Sequence, residues 1–365
     1  MASSIGNSIK LTLFGESHGQ GVGCVIDGLP PNYKLNKALI EKRLNQRKPG
    51  QALTTPRAES DEYELLSGYF NEKTTGAPLT VWFVSHNTRS KDYDAIKHVF
   101  RPGHADYVGH IKSDGANDYR GGGHFSARLT APLVFAGAIA EDLLNKRGIQ
   151  IVSHIFQIGG EKSISLSRYG IFNEDLERLS DATYGIYPDA RMRMLDVVEA
   201  ARNQGDSVGA IIETSVFELP IGLGEPFFDS AESQLSHALF SIPGLKGVSF
   251  GDGFDFASKL GSEVIDAFVL DHLGQVQTNA NHNGGINGGL TNGMPLTFKC
   301  VFKPTASIGK KQNTLNFNTK EMTELEIEGR HDPCIALRAV PIVKAMTALT
   351  LLDMLIAHQK SFKDE

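Results

Sequence analysis

The chain has 365 residues, 41% hydrophobic and 21% charged, which is the make-up of a globular protein with ample material for a core. Its net charge of −6 argues against a general nucleic-acid role. Three scattered cysteines, Cys24, Cys300 and Cys334, argue against a disulfide framework or a zinc site. No basic-then-apolar signal pattern opens the chain, and no uninterrupted apolar run reaches the roughly 18 residues of a membrane span. The expected compartment is the reducing cytoplasm.

In chain order, alternation predicts strands over 9–14 and 22–26, joined across the glycine-flanked turn Gly15-Glu16-Ser17-His18-Gly19. Asn36 to Gln46 reads as a helix and 79–84 as a strand. A strong helix is expected over 131–145, with Pro132 near its start. Residues 161–190 form the most polar middle section and suggest an exposed excursion. A helix over 191–204 and a strand over 207–216 follow. Ser230 to Phe240 is a further helix, ended by Pro243-Gly244. The final helix is expected over 342–358, with Pro341 in its first turn, and is apolar enough to be deeply buried. There is no linker, no short repeat and no regular βαβ rhythm. The expected class is α+β with mainly antiparallel sheet.

One charged stretch stands out. Lys42, Arg43, Arg47, Lys48 and Arg57 fall within a window free of Asp and Glu. It is either a solvated helix face or an anion site, since Arg binds phosphate and carboxylate bidentately. Three loops have the backbone freedom to cradle an anion: Gly121-Gly122-Gly123 before His124-Phe125-Ser126-Ala127-Arg128, the run Asn279 to Gly289, and Lys303-Pro304-Thr305-Ala306-Ser307. Each is also readable as a tight turn. Gly19-x-Gly21-x-Gly23 misses the dinucleotide spacing because Cys24 holds the last position, and no P-loop or H-E-x-x-H occurs. No metal site is expected.

Several motifs are more specific together than any is alone. Phe14-Gly15-Glu16-Ser17-His18-Gly19 precedes Val25-Ile26-Asp27-Gly28-Leu29-Pro30. Ser90-Lys91-Asp92-Tyr93 leads to Phe100-Arg101-Pro102-Gly103-His104-Ala105-Asp106-Tyr107. Asp118-Tyr119-Arg120-Gly121-Gly122-Gly123 leads to Ser126-Ala127-Arg128, and Gly205 to Gly209 and Gly222 to Pro226 follow. The last are Gly329-Arg330-His331-Asp332-Pro333-Cys334 and Arg338-Ala339-Val340-Pro341. The set resembles the chorismate synthase family over nearly the whole chain.

That resemblance implies a single domain over 1–365, a β-α-β sandwich with helices layered between sheets, assembling as a homotetramer. It implies a lyase that converts 5-enolpyruvylshikimate 3-phosphate (EPSP) to chorismate and phosphate by 1,4-elimination, the last step of the shikimate pathway. Reduced FMN is required although there is no net redox change. By the same resemblance His18 supports phosphate departure, His104 serves the flavin, and Asp332 helps accept the C6 proton. Substrate contacts map onto Ser17, Arg47, Lys48, Arg128 and Arg330. FMN contacts map onto Arg47, His124, Phe125, Ser126, Pro243, Gly244, Gly288, Lys303, Pro304, Thr305, Ala306, Ser307 and Arg330. Reducing equivalents would come from NADPH or a separate flavin reductase. No nucleic-acid or membrane partner is implied.

His98, His110, His154, His237 and His272 read as ordinary structural or surface histidines, and Tyr107 and Phe125 as packing residues. Three positions depart from the family pattern: His124 and Leu53 stand where relatives carry Arg, and Lys344 where they carry Glu. An NADPH-dependent flavin oxidoreductase and a non-catalytic anion binder are the alternative readings.

Overall fold

Two five-stranded sheets enclose a double layer of helices in the computed structural model, which describes residues 3–50, 53–54, 61–85, 97–166, 185–327 and 332–361. Arg57, Ser90 to Tyr93, and Gly329, Arg330 and His331 lie outside the described residues. The first sheet contains β1 (Ser4–Ile5), β2 (Lys10–Gly15), β3 (Gly21–Asp27), β4 (Tyr63–Ser67) and β5 (Leu79–Val84), in the order β1-β2-β3-β5-β4. The second contains β6 (Gln150–Ile158), β7 (Glu161–Lys162), β8 (Ala210–Phe217), β9 (Leu245–Phe250) and β10 (Leu296–Phe302), in the order β9-β10-β8-β6-β7. Every pairing within them is antiparallel.

The helices are α1 (Lys37–Arg47), α2 (Asp106–Lys112), α3 (Thr130–Asn145), α4 (Arg191–Asn203), α5 (Ala231–Leu239) and α6 (Ala336–Ser361). α3 lies on the first sheet, α6 on the second, and the two pack on each other. The expected sandwich is therefore present. α3 is buried on nearly every side because both sheet and helix cover it. Its closest approach to α6 is at Gly137, where an added Cβ would fall 2.1 Å from Ala345 Cβ. Any side chain there would wedge the two helices apart.

Local chemistry explains the element ends. The Asn36 side chain accepts from Leu39 N at 3.2 Å and caps α1, and Ser230 accepts from Ser233 N at 3.1 Å and caps α5. In β5, Leu79, Val81 and Phe83 are buried while alternate residues are not, the period-two pattern read from sequence.

Two expectations need correction. The last helix begins at Ala336, so Pro341 lies inside it rather than in its first turn. Proline there removes one backbone bond and crowds the Leu337 carbonyl. The earlier start is anchored by Arg338, which donates to Asp332 and to the Arg47 carbonyl. That helix is also long and apolar enough to cross a bilayer by composition, yet it is mostly buried against α3 and the second sheet. The polar stretch 161–190 is not simply exposed: Leu166, Ile186 and Ala190 are buried, and 167–184 lie outside the described residues.

The helix layer contains a buried charge cluster. Glu141 accepts from Arg43 Nε at 2.8 Å and Nη2 at 2.6 Å, and Lys344 Nζ lies 2.8 Å from its Oε1. The lysine that departs from the family pattern thus has a carboxylate partner on α3. Burial raises the Glu141 pKa, but Lys344 and Arg43 outweigh that and hold it at about 2, below its ordinary 4.5. Burial lowers Lys344 to about 8, against the pull of Glu141. The Glu141 contribution is complete above pH 4.5 and is lost as pH falls towards 2. Lys344 adds stability as pH rises from 8 to 10.5, because the unfolded chain then holds the extra proton. Glu141→Gln leaves two buried cations facing each other and is expected to cost about 3–5 kcal/mol. Chemical denaturation at pH 7 reads that loss, and the acid limb of the parent's stability curve should flatten in the variant.

Candidate active site

The site is organised by a glycine turn. Gly121, Gly122 and Gly123 have φ of 60°, 84° and 53°, left-handed values that side-chain-bearing residues rarely adopt. A Cβ at Gly121 would sit 2.4 Å from His18 Cδ2 and 2.9 Å from Ser17 Oγ. One at Gly122 would sit 3.3 Å from His104 Cε1. The Gly123 carbonyl accepts from Ser17 N at 3.1 Å. Two histidines from distant turns therefore rest against consecutive residues of one loop. Asp118 supports the turn from behind. It accepts from Arg120 Nε at 2.8 Å and Nη2 at 2.7 Å, which with the nearby His18 lowers its carboxyl below the usual range.

His124 ties the turn to the first sheet. Its Nδ1 lies 2.9 Å from the Gly15 carbonyl and its Nε2 3.2 Å from Ser3 Oγ. A carbonyl only accepts, so Nδ1 carries the proton. Both ring nitrogens are engaged by the protein itself, unlike the cation that an arginine would place there. Ser126 caps the short helical turn Ala127–Leu129 by accepting from Arg128 N at 3.3 Å. Phe125 packs towards Gly109 of α2. Tyr107 stacks with Phe317 at 4.9 Å between centroids, the packing role expected of it.

The His104 turn meets the Lys303–Ser307 loop. Arg101 grips Asp106 with Nε and Nη2, both at 2.7 Å, and its Nη1 reaches Ser307 Oγ at 3.2 Å. His104 Nδ1 is 2.5 Å from Asp106 Oδ1. Lys303 Nζ donates to the Gly103 carbonyl at 2.5 Å, and Lys303 N donates to the Gly244 carbonyl at 3.0 Å. The expected cofactor residues Pro243-Gly244 and Lys303 to Ser307 are thus adjacent. Thr305 Oγ1 is buried with no hydrogen-bond partner among the described residues. An orphaned hydroxyl beside a lysine and a serine suits a polar, anionic ligand. A cleft beside this turn is lined by Arg101, His104, Asp106, His110, Asp118 and Phe125.

A second cluster is built on arginines. Arg47 is 1% exposed, and its Nη2 lies 2.5 Å from Asp61 Oδ2. Arg128 Nη1 donates to the other Asp61 oxygen. Burial raises the Asp61 pKa, but the two guanidinium groups outweigh it and the carboxyl is held below its usual range. Arg47 and Arg128 thus share the Asp61 carboxylate. Arg338 donates to the Arg47 carbonyl at 3.0 Å and to Asp332 Oδ2 at 2.6 Å, so Asp332 joins the same network. Lys48 follows as the α1 C-cap.

Leu53 has a left-handed φ of 62° and packs against the core. Gly288 precedes β10 in the Ile286–Thr291 hairpin, whereas Lys303 to Ser307 follow β10. Sequence reasoning gave no role to Arg101, Asp106 or Arg338, although it quoted all three within motifs. Asp61 carried no signal at all.

Comparison with known proteins follows the same lines. The chorismate synthase family model matches residues 9–356. The chorismate synthase of Methanosarcina mazei is 44% identical over 359 residues, covering 98% of this chain and 97% of its own. That of Chitinophaga pinensis is 44% identical and covers 98% of each chain. That of Thermococcus gammatolerans is 43% identical over 354 residues, 97% of this chain and 98% of its own. A crystal structure of a chorismate synthase superposes with a TM-score of 0.74 at 25% identity, covering 97% of this chain and 93% of that one. With the sandwich, the paired histidine turns and near-full-length similarity in agreement, the chain belongs to the chorismate synthase family of lyases.

Proposed function

We propose that the chain converts EPSP to chorismate and inorganic phosphate by 1,4-elimination in the presence of reduced FMN. The observation that carries the reading is the meeting of His18 and His104 on consecutive glycines, beside an arginine pair that shares one carboxylate. In the elimination the C6–H and C3–O bonds break. The electron pair released at C6 becomes ring double bond, the existing double bond shifts, and phosphate leaves with the C3–O pair. Reduced FMN supplies an electron-rich ring that assists this loss of proton and phosphate.

The chain's own residues handle the charge. His18, beside the Ser17 hydroxyl, donates to the departing phosphate, where charge develops. Arg47, Lys48 and Arg128 offset the substrate's negative groups, each charge-assisted bond contributing about 1.5–3 kcal/mol. Lys303, Thr305 and Ser307 hold the flavin's anionic and polar groups, with Arg330 added by resemblance. Asp332, fixed through Oδ2 by Arg338, receives the C6 proton. His104 sets the protonation state on the flavin side.

The same reading includes one domain over 1–365 and a cytoplasmic homotetramer. Phe227, Phe228, Phe254 and Phe268 are each more than 75% exposed, an apolar surface suited to burial between copies. The flavin arrives reduced, from a separate reductase or at the expense of NADPH. Catalytic NADPH consumption per product fits the lyase, and stoichiometric consumption fits a flavin oxidoreductase.

An anaerobic assay tests the reaction. Chorismate and phosphate should form in equal amounts with reduced FMN and not with oxidised FMN. Product with oxidised FMN, or none with reduced FMN, overturns the proposal. Asp332→Asn should retain EPSP and flavin binding while single-turnover product formation falls by at least about 10²-fold. Equal losses of binding, melting temperature and rate would make Asp332 a structural partner of Arg338 only.

A further inference from the structure

We propose that Asp106, backed by Arg101, is the positioning residue for His104. It holds the imidazole by Nδ1–H and turns Nε2 towards the glycine turn. Arg101 locks the unit to the Lys303–Ser307 loop through Ser307. The proposal rests on the reading above, in which His104 serves the flavin side of the site.

Geometry fixes the proton. His104 Nδ1 and Asp106 Oδ1 are 2.5 Å apart. Two lone pairs do not face each other at that distance, so a hydrogen lies between them. The proton belongs to the imidazole because Asp106 is ionised: burial raises its pKa, but the Arg101 and His104 contacts outweigh that and hold the carboxyl far below its usual range. Arg101 Nη2 also approaches Nδ1, at 3.0 Å. A nitrogen that already donates cannot accept, so this contact is a cation beside the ring rather than a hydrogen bond. With Nδ1 engaged, Nε2 is the nitrogen left to exchange protons. It lies 3.7 Å from an ideal Cβ at Gly122, the residue after the one that meets His18.

What the arrangement supplies is orientation and a fixed tautomer. Asp106 and Arg101 side chains are 15% and 11% exposed, whereas His104 is 24% exposed, so the support is covered and the ring faces outward. Other titratable groups face the turn from neighbouring segments. His110 lies on α2, Asp118 precedes the glycine turn, and Lys97 and His98 line the cleft. Lys303 reaches Gly103 from the loop after β10. Among these, the contacts at His104 Nδ1 come from Asp106 and Arg101.

The test reads the ring nitrogens directly. Full-length protein is labelled with ¹⁵N-histidine, and His104 is identified from the spectrum of His104→Gln. The parent's neutral His104 should be the Nδ1–H tautomer. In Asp106→Asn the amide can present N–H to Nδ1, so the signal should move towards the Nε2–H tautomer. Under the anaerobic assay kcat should fall by at least about 10²-fold with KM changed far less. An unchanged tautomer with kcat within twofold of the parent overturns the proposal. Should Asp106→Asn melt early because Arg101 is left unpaired, Asp106→Asn/Arg101→Gln removes both charges and gives the same two readings. The spectra need neither EPSP nor flavin. A parent without turnover but with the predicted tautomer change would count against the reaction, not against the positioning of His104.

Discussion

Three successive backbone positions that tolerate no side chain set the distances in this protein. Gly121 and Gly122 let the Ser17-His18 turn and the Arg101–Tyr107 turn close on the same loop, and Gly123 receives the Ser17 amide. The first sheet supplies one histidine, and the segment before α2 supplies the other. α3 starts within the same stretch of chain, a few residues after the turn, so the sandwich's most buried helix and the reactive loop share one anchor. α3 is in turn packed against β3 and α6.

Buried charge is used twice, and α1 serves both uses. Arg43 and Arg47 lie one turn apart and are both buried. Arg43 meets Glu141 inside the helix layer, where Lys344 completes the cluster. Arg47 meets Asp61, where Arg128 joins it. In the first cluster two cations on one carboxylate tie α1, α3 and α6 together. In the second, Arg47 and Arg128 share one carboxylate through guanidinium groups of the kind that also bind phosphate and carboxylate. The stretch from Lys42 to Lys48 is thus not a solvated face at its arginines.

Much of this was legible in the sequence because the signals were local. Strand alternation placed β5, Asn36 and Ser230 marked helix starts, and the clustered glycines marked a turn, though not that His18 and His104 meet on it. The start of α6 was not legible, since Pro341 mimics an N-terminal signal while the true anchor, Arg338, depends on Asp332 and on the distant Arg47 carbonyl. Asp61 was equally hidden: one acidic residue becomes informative only when two arginines from separate helical segments converge on it. The placing of His124 on Gly15 and Ser3 was hidden for the same reason. Pairings that span the chain leave no trace in spacing.

The most direct test of the account is Gly121→Ala. The substitution sets a methyl against the His18 ring, 2.4 Å from Cδ2, and forces a left-handed alanine at a cost of about 1–2 kcal/mol. The melting temperature, EPSP binding and single-turnover rate with reduced FMN are measured on one preparation. The account predicts a folded protein whose chemical step slows by at least about 10²-fold. A folded variant with the parent's rate would contradict it, because the histidines would then not need the glycine turn.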